Sequence, residues 1–155
     1  MASAQSSSLI AGAALANKVA VVERGVQLHT GATREPFELL ARLGGRELAA
    51  IAGAVMAARR ARVPVLLDGY ATTVAASVLA KADPHALDHC LVAHCSVEPG
   101  HRKLLARLGK APLFDLGMRL GEASGATLAI AVVKAAVACH AGMATFAEAG
   151  VSGKT

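Results

Sequence analysis

The sequence predicts an α/β fold, a parallel sheet with crossover helices, and three observations carry that reading. Two short runs, Val63-Pro64-Val65-Leu66-Leu67 and His89-Cys90-Leu91-Val92-Ala93-His94, are apolar almost throughout, as strands covered on both faces are. Each run gives way at once to turn residues and then to a helical stretch, the rhythm of strand–crossover–strand units. The composition is 54% hydrophobic but only 3% aromatic. The core is therefore built of Ala, Val, Leu and Ile, whose small side chains allow close packing of helices on a sheet. With 155 residues the chain is long enough to bury such a core.

The elements follow in order. Residues 1–10 read as a disordered lead-in, and 11–152 as a single α/β domain. Ala11 to Gln27 reads as a helix, with Ala13, Ala14, Val19, Ala20 and Val21 on overlapping faces and Gly25 weakening its end. Thr30 to Glu35 is polar and turn-like. Pro36 suits the first turn of a helix running to Leu43, and Gly44-Gly45 interrupts the pattern before an Ala-rich helix over Arg46 to Ala61. The strand Val63–Leu67 leads through Asp68-Gly69 into a helix from Tyr70 to Lys81. The strand His89–His94 leads through the loop Cys95–Gly100 into a helix from His101 to Leu108. A further short strand fits Pro112 to Leu116. The last helix, Ala126 to His140, is almost entirely apolar and is expected to be buried. The whole reads as a three-layer, Rossmann-like arrangement with additional helices from both ends of the chain.

Composition removes several function classes. The net charge of +5 is compatible with an anionic ligand. The dense basic cluster, Arg59, Arg60 and Arg62, sits at a predicted helix end, where the helix dipole favours cations. With no Trp and Tyr70 as the sole tyrosine, no basic stripe with interleaved aromatics exists, so nucleic acid is not an expected partner. Cys90, Cys95 and Cys139 have no metal-ligand spacing and read as small buried hydrophobes in a reducing compartment. Met1 to Ser8 lacks a basic segment followed by an apolar one, and no apolar run is read as reaching membrane-spanning length without interruption. A cytoplasmic protein without a membrane partner is expected. No Gly-x-Ser-x-Gly, phosphate-binding Gly-rich loop, Gly-x-Gly-x-x-Gly or His-Glu-x-x-His pattern occurs.

In open parallel sheets ligands sit beyond the carboxyl ends of the strands. Three segments of this chain fall there: Asp68-Gly69, the loop from Ser96 to Gly100, and the junction Leu120-Gly121-Glu122-Ala123-Ser124-Gly125. Each carries a carboxylate and a glycine, which predicts a cleft with Asp68, Glu98 and Glu122 on its rim. Each residue also has a plainer reading. Asp68 can cap the helix that follows it, and Glu98 before Pro99 can simply start a helix. Glu122 can do no more than complement a helix dipole. His94 reads as a satisfied core histidine, His101 as solvated at a helix start, and His140 as a dipole partner. From the residues alone the reading stops at a ligand-binding α/β domain with a carboxylate as candidate base.

Several stretches, in order and spacing, resemble the nicotinate-nucleotide–dimethylbenzimidazole phosphoribosyltransferases of cobalamin nucleotide-loop assembly, the CobT family. They are Lys18 to Arg24, Leu43 to Ala54, Val63 to Tyr70, Ala93-His94-Cys95-Ser96-Val97-Glu98-Pro99-Gly100-His101, Asp115 to Ala126 and Met143 to Ser152. The resemblance covers nearly everything after residue 12 but corresponds to only the C-terminal part of the family. Ser8 to Gly12 stands where the family usually has a Gly-Arg-Gly-Thr-Gly-like loop, and Ala123 stands where a glycine is usual. The resemblance implies transfer of phosphoribose from nicotinate mononucleotide to 5,6-dimethylbenzimidazole. Glu122 falls on the family's catalytic carboxylate. Asp68, Gly69, Ser96, Glu98, Gly100, Leu120 and Gly121 fall on the substrate side, Leu120 against the flat ring and Ser96 and Gly100 near the ribosyl or nicotinate part. No metal or redox cofactor is implied, and a homodimer is. Because the family's phosphate-cradling loops lie in its N-terminal half, this chain alone is expected to be inactive. The alternative is a non-catalytic remnant of the family that binds a ligand or partner.

Overall fold

The computed structural model describes residues 12–151. The lead-in expected over 1–10 lies outside the described residues. Two helices come first, α1 (Ala13–Thr30) and the single turn α2 (Pro36–Leu39), which runs on as a π-helical turn over Leu40–Gly44. α3 (Gly45–Arg60) follows. The break expected at Gly44-Gly45 is this widened turn. A Cβ on Gly44 would overlap the end of the Leu40 side chain, which would have to move aside.

The remainder is a run of strand–helix units: β1 (Val65–Leu67), α4 (Tyr70–Ala82), β2 (Cys90–His94), α5 (Pro99–Leu108), β3 (Pro112–Phe114) and α6 (Ser124–Gly142). The strands form one parallel sheet in the order β1-β2-β3. Val65 pairs with Cys90 and Leu67 with Val92, while Val92 pairs with Pro112 and His94 with Phe114. The two apolar runs are thus parallel neighbours, as expected, and the crossover rule places their helices between them. β1 is shorter than the run that announced it, since Val63 and Pro64 lie outside the ladder; Pro64 has no N–H to give it. α5 starts at Pro99, two residues before the expected His101, because a proline needs no donor at the first helical position.

The core lies between α3, α4, α5 and one face of the sheet. Ala52, Val55, Ala76, Leu79 and Leu105 from the helices meet Leu67, Cys90 and Val92 from the strands. At the far end of α5 the left-handed Gly109 ends the helix. There Lys110 reaches back so that its Nζ donates to the Leu87 and Cys90 carbonyls at 2.8 and 3.1 Å.

α6 departs from expectation. It touches all three strands, yet only Gly125 and Ala129 are buried. Leu128, Ile130, Val132 and Val137 are exposed, Val137 at 62%. Cys139 is exposed too, against the expectation that it lies inside with Cys90 and Cys95. The helix is held through its first turns, and the rest is exposed. By length and composition its 19 residues also meet the requirement for crossing a membrane, which corrects the reading that no apolar run does so. Docking of its N-terminal turns onto the strands makes it a helix of this domain.

Candidate active site

The carboxyl ends of β1 and β2 and the N-terminus of α6 meet around one cleft of about 620 Å³, within the size range of small-molecule sites. β1 delivers Asp68 and Gly69. Gly69 caps α4, and a Cβ there would lie 3.3 Å from His94 Nε2 and 3.8 Å from Ser96 Cβ, so a larger residue would make the meeting of the β1 and β2 ends tight. Its backbone N–H donates to Thr72 Oγ1 at 3.1 Å, and its carbonyl accepts from the hydroxyls of Thr72 and Thr73.

The sequence offers Asp68 as a cap for the helix that follows it. It caps α6 instead, where its Oδ1 accepts the Ala126 N–H at 2.8 Å. The carboxylate meets the positive end of a 19-residue helix, the arrangement the helix dipole favours. The same oxygen lies 3.8 Å from His94 Nε2. Removing this cap is expected to cost about 0.5–2 kcal/mol. Asp68→Ala should lower stability by that amount in a denaturant titration, and hydrogen exchange should locate the loss in the first turn of α6.

The approach to α6 is a turn of three successive left-handed residues, Gly121 (φ 77°), Glu122 (φ 55°) and Ala123 (φ 58°). Glycine accepts this conformation freely, but Glu and Ala do so at a cost of roughly 1–2 kcal/mol each. Such strain in a cleft wall is a pointer to function. The turn places the exposed Glu122 on the cleft lip, flanked by Gly121 and Ala123, which also line the cleft. Replacing Ala123 by glycine relieves strain but raises the entropy of the unfolded chain. The net of these is a stabilisation of about 0.5–1 kcal/mol, to be read as a higher Tm for Ala123→Gly; an unchanged or lower Tm would refute the strain.

β2 ends on His94, and the loop after it carries Ser96 and Glu98. His94 is 2% exposed, and neither ring nitrogen has a hydrogen-bond partner among the described residues, so it is not the satisfied histidine expected. His101 is fully buried rather than solvated. Its ring lies 5.7 Å from that of Tyr70. Its Nδ1 accepts the Ser96 N–H at 3.0 Å with Ser96 Oγ at 2.9 Å, and its Nε2 lies 3.1 Å from Thr73 Oγ1. Burial, and secondarily His94, push the His101 pKa below the ordinary histidine value, against the opposing pull of Glu98. Hydrogen bonds from the Ser96 hydroxyl and from its own backbone N–H hold the Glu98 carboxyl below its usual range.

Of the residues singled out in the sequence, Asp68, Gly69, Ser96, Glu98, Gly121 and Glu122 line this cleft. Gly100 and Leu120 do not. Gly100 lies in the first turn of α5 behind the Tyr70 ring, where a Cβ would overlap the phenol. Leu120 is 78% exposed, immediately before the left-handed turn begins at Gly121. Sequence reasoning missed Tyr70, Arg119 and His94 as wall residues and His101 as the buried support behind them. Among the described residues no group of three or more His, Cys, Asp or Glu is placed to hold a metal ion.

A family model described as phosphoribosyltransferase matches residues 3–151. A curated relative from Rhizobium etli (strain CIAT 652), named nicotinate-nucleotide–dimethylbenzimidazole phosphoribosyltransferase, is 60% identical over 143 residues, 92% of this chain and 42% of the relative. The chain belongs to this CobT family. A relative of the same name from Rhizobium meliloti (strain 1021) is 58% identical over the same shares of both chains. A crystal structure described as CobT from Thermus thermophilus superimposes with a TM-score of 0.84 at 41% identity, over 93% of this chain and 43% of that one. The chain therefore spans about two fifths of the length of the CobT proteins it matches, and the parallel sheet with its helices is the CobT fold over that span.

Proposed function

We propose that this chain is the base-activating part of a phosphoribosyltransferase that moves phosphoribose from nicotinate mononucleotide to 5,6-dimethylbenzimidazole, giving α-ribazole 5'-phosphate and nicotinate in cobalamin nucleotide-loop assembly. The observation that supports this most is Glu122, an exposed carboxylate on a strained turn at the lip of the cleft. A benzimidazole has one lone-pair nitrogen and one N–H. As the lone pair bonds to the ribosyl carbon, the bond from that carbon to the nicotinate nitrogen breaks, and nicotinate leaves with the electron pair. Positive charge then develops on the benzimidazole, and its N–H proton passes to Glu122. Asp68 and Gly69 shape the floor by holding α6 and the β2 end in place. Ser96, Glu98 and Gly121 offer polar and backbone contacts to the ribosyl and nicotinate parts. No redox or metal chemistry enters these steps.

The free, buried Cys90 and Cys95 suit the reducing cytoplasm in which we place the protein. The exposed apolar side chains of α6 suit the homodimer that the family resemblance implies. The test is an assay with nicotinate mononucleotide and dimethylbenzimidazole, read by chromatography. It compares this chain alone with a polypeptide of the relatives' full length carrying the same residues. The long form is expected to turn over and this chain to show little or no activity. An inactive long form would overturn the transferase reading, and equal turnover by the short chain would show that the other part is dispensable.

A further inference from the structure

We infer that His101 is a positioning residue that sets the Ser96 backbone and hydroxyl at the cleft wall; its substrate side rests on the proposed transfer reaction. The hydrogen bonds run in one direction. The Ser96 N–H donates to His101 Nδ1 at 3.0 Å, so that nitrogen carries the lone pair and the ring proton sits on Nε2. Nε2 faces Thr73 Oγ1 at 3.1 Å, and the Thr73 hydroxyl is already donated to the Gly69 carbonyl at 2.8 Å. The Thr73 oxygen therefore accepts from Nε2. One neutral imidazole thus ties the loop after β2 to the turn after β1, and both line the cleft.

The same geometry decides what Ser96 can do. Its Oγ lies 2.9 Å from Nδ1, but Nδ1 has a single lone pair in the ring plane, and the backbone N–H occupies it. The two Ser96 donors thus compete for one acceptor, and the hydroxyl proton is free to turn away from Nδ1. The oxygen lone pairs then remain for a donor in the cleft. A histidine that merely filled space would not need this tautomer. His101 is fully buried with its ring beside Tyr70, which holds the ring's orientation, while its hydrogen-bond partners set the tautomer.

Two substitutions separate the roles of the two ring nitrogens. His101→Asn can place a carbonyl oxygen near the Nδ1 position and keep the Ser96 bond. His101→Gln can place an amide near the Nε2 position and keep the Thr73 bond, but it leaves Ser96 without an acceptor. In this chain, nitrogen NMR of the ring should show the Nε2–H tautomer at neutral pH. Hydrogen exchange of the Ser96 amide should accelerate about tenfold in His101→Gln and much less in His101→Asn, as expected for one net hydrogen bond. Affinity for nicotinate mononucleotide, measured by calorimetry in a polypeptide of the relatives' full length, should fall in the same order, and His101→Gln should cost little further once Ser96→Ala is present. An Nδ1–H tautomer, equal acceleration in both variants, or an undiminished effect of His101→Gln in the Ser96→Ala background would overturn the assignment. If the unsubstituted full-length form does not bind nicotinate mononucleotide, the substrate reading fails alone, and tautomer and exchange still decide the role of His101.

Discussion

Glu122→Gln is expected to lower kcat by about 10²- to 10⁴-fold, the usual contribution of a positioned general base, in a full-length protein carrying this chain's residues. The amide keeps the shape of the carboxylate and can still accept a hydrogen bond from the benzimidazole N–H, so affinity for the base should change little. What it cannot do is take the proton as positive charge builds on the ring. The loss should therefore fall on kcat rather than on KM, and it should shrink for an attacking base that has no proton to lose. Glu122 is exposed, and its side chain makes no hydrogen bond among the described residues, so the substitution leaves no buried group unpaired and the fold should be unaffected. If kcat instead stays within a few-fold while Tm drops, Glu122 serves only the dipole of α6, and the general-base role is lost.

The sheet was legible because its signals are local. Val65–Leu67 and Cys90–His94 announce themselves by uninterrupted apolar character, and the turn residues that follow put Asp68, Ser96 and Glu122 at one edge by topology alone. What escaped was decided at long range. Asp68 precedes α4 in the sequence, yet it caps α6, whose Ala126 is 58 residues away. His101 stands at a helix start, normally a wet position, and is buried because Tyr70 and the Ser96 loop close over it. Leu120, which the resemblance sets against the flat ring, is exposed and outside the cleft lining of this chain, and no propensity announces the two left-handed non-glycine residues in succession that follow at Glu122 and Ala123. The apolar character of α6 predicts burial, but among the described residues only Gly125 and Ala129 in its first turns are buried.

Those first turns carry the second large effect. Helix propensity alone favours Ala over Gly at position 125 by about 1 kcal/mol, yet Gly125→Ala is expected to destabilise. A Cβ there would overlap the His94 ring, lying 2.7 Å from Cγ and 2.8 Å from Nε2. The ring has little room to retreat: it is 2% exposed and its backbone is paired in the sheet at the Phe114 register. α6 must lift instead, stretching the bond between Asp68 and the Ala126 N–H and displacing the Glu122 turn. Overpacking costs about 1–3 kcal/mol, and loss of the cap adds about 0.5–2 kcal/mol. Set against the propensity gain, a net loss of about 2 kcal/mol lowers Tm by roughly 4–8 °C for a domain of this size. Scanning calorimetry of Gly125→Ala reads it directly. The overlap has a specific remedy, since His94→Ala opens the space a methyl group needs. The double variant should recover part of what Gly125→Ala loses, a coupling expected only of residues in contact. If the two losses simply add, or if Gly125→Ala raises Tm as propensity alone would have it, then α6 does not rest on His94, and the turn that presents Glu122 is held by something else.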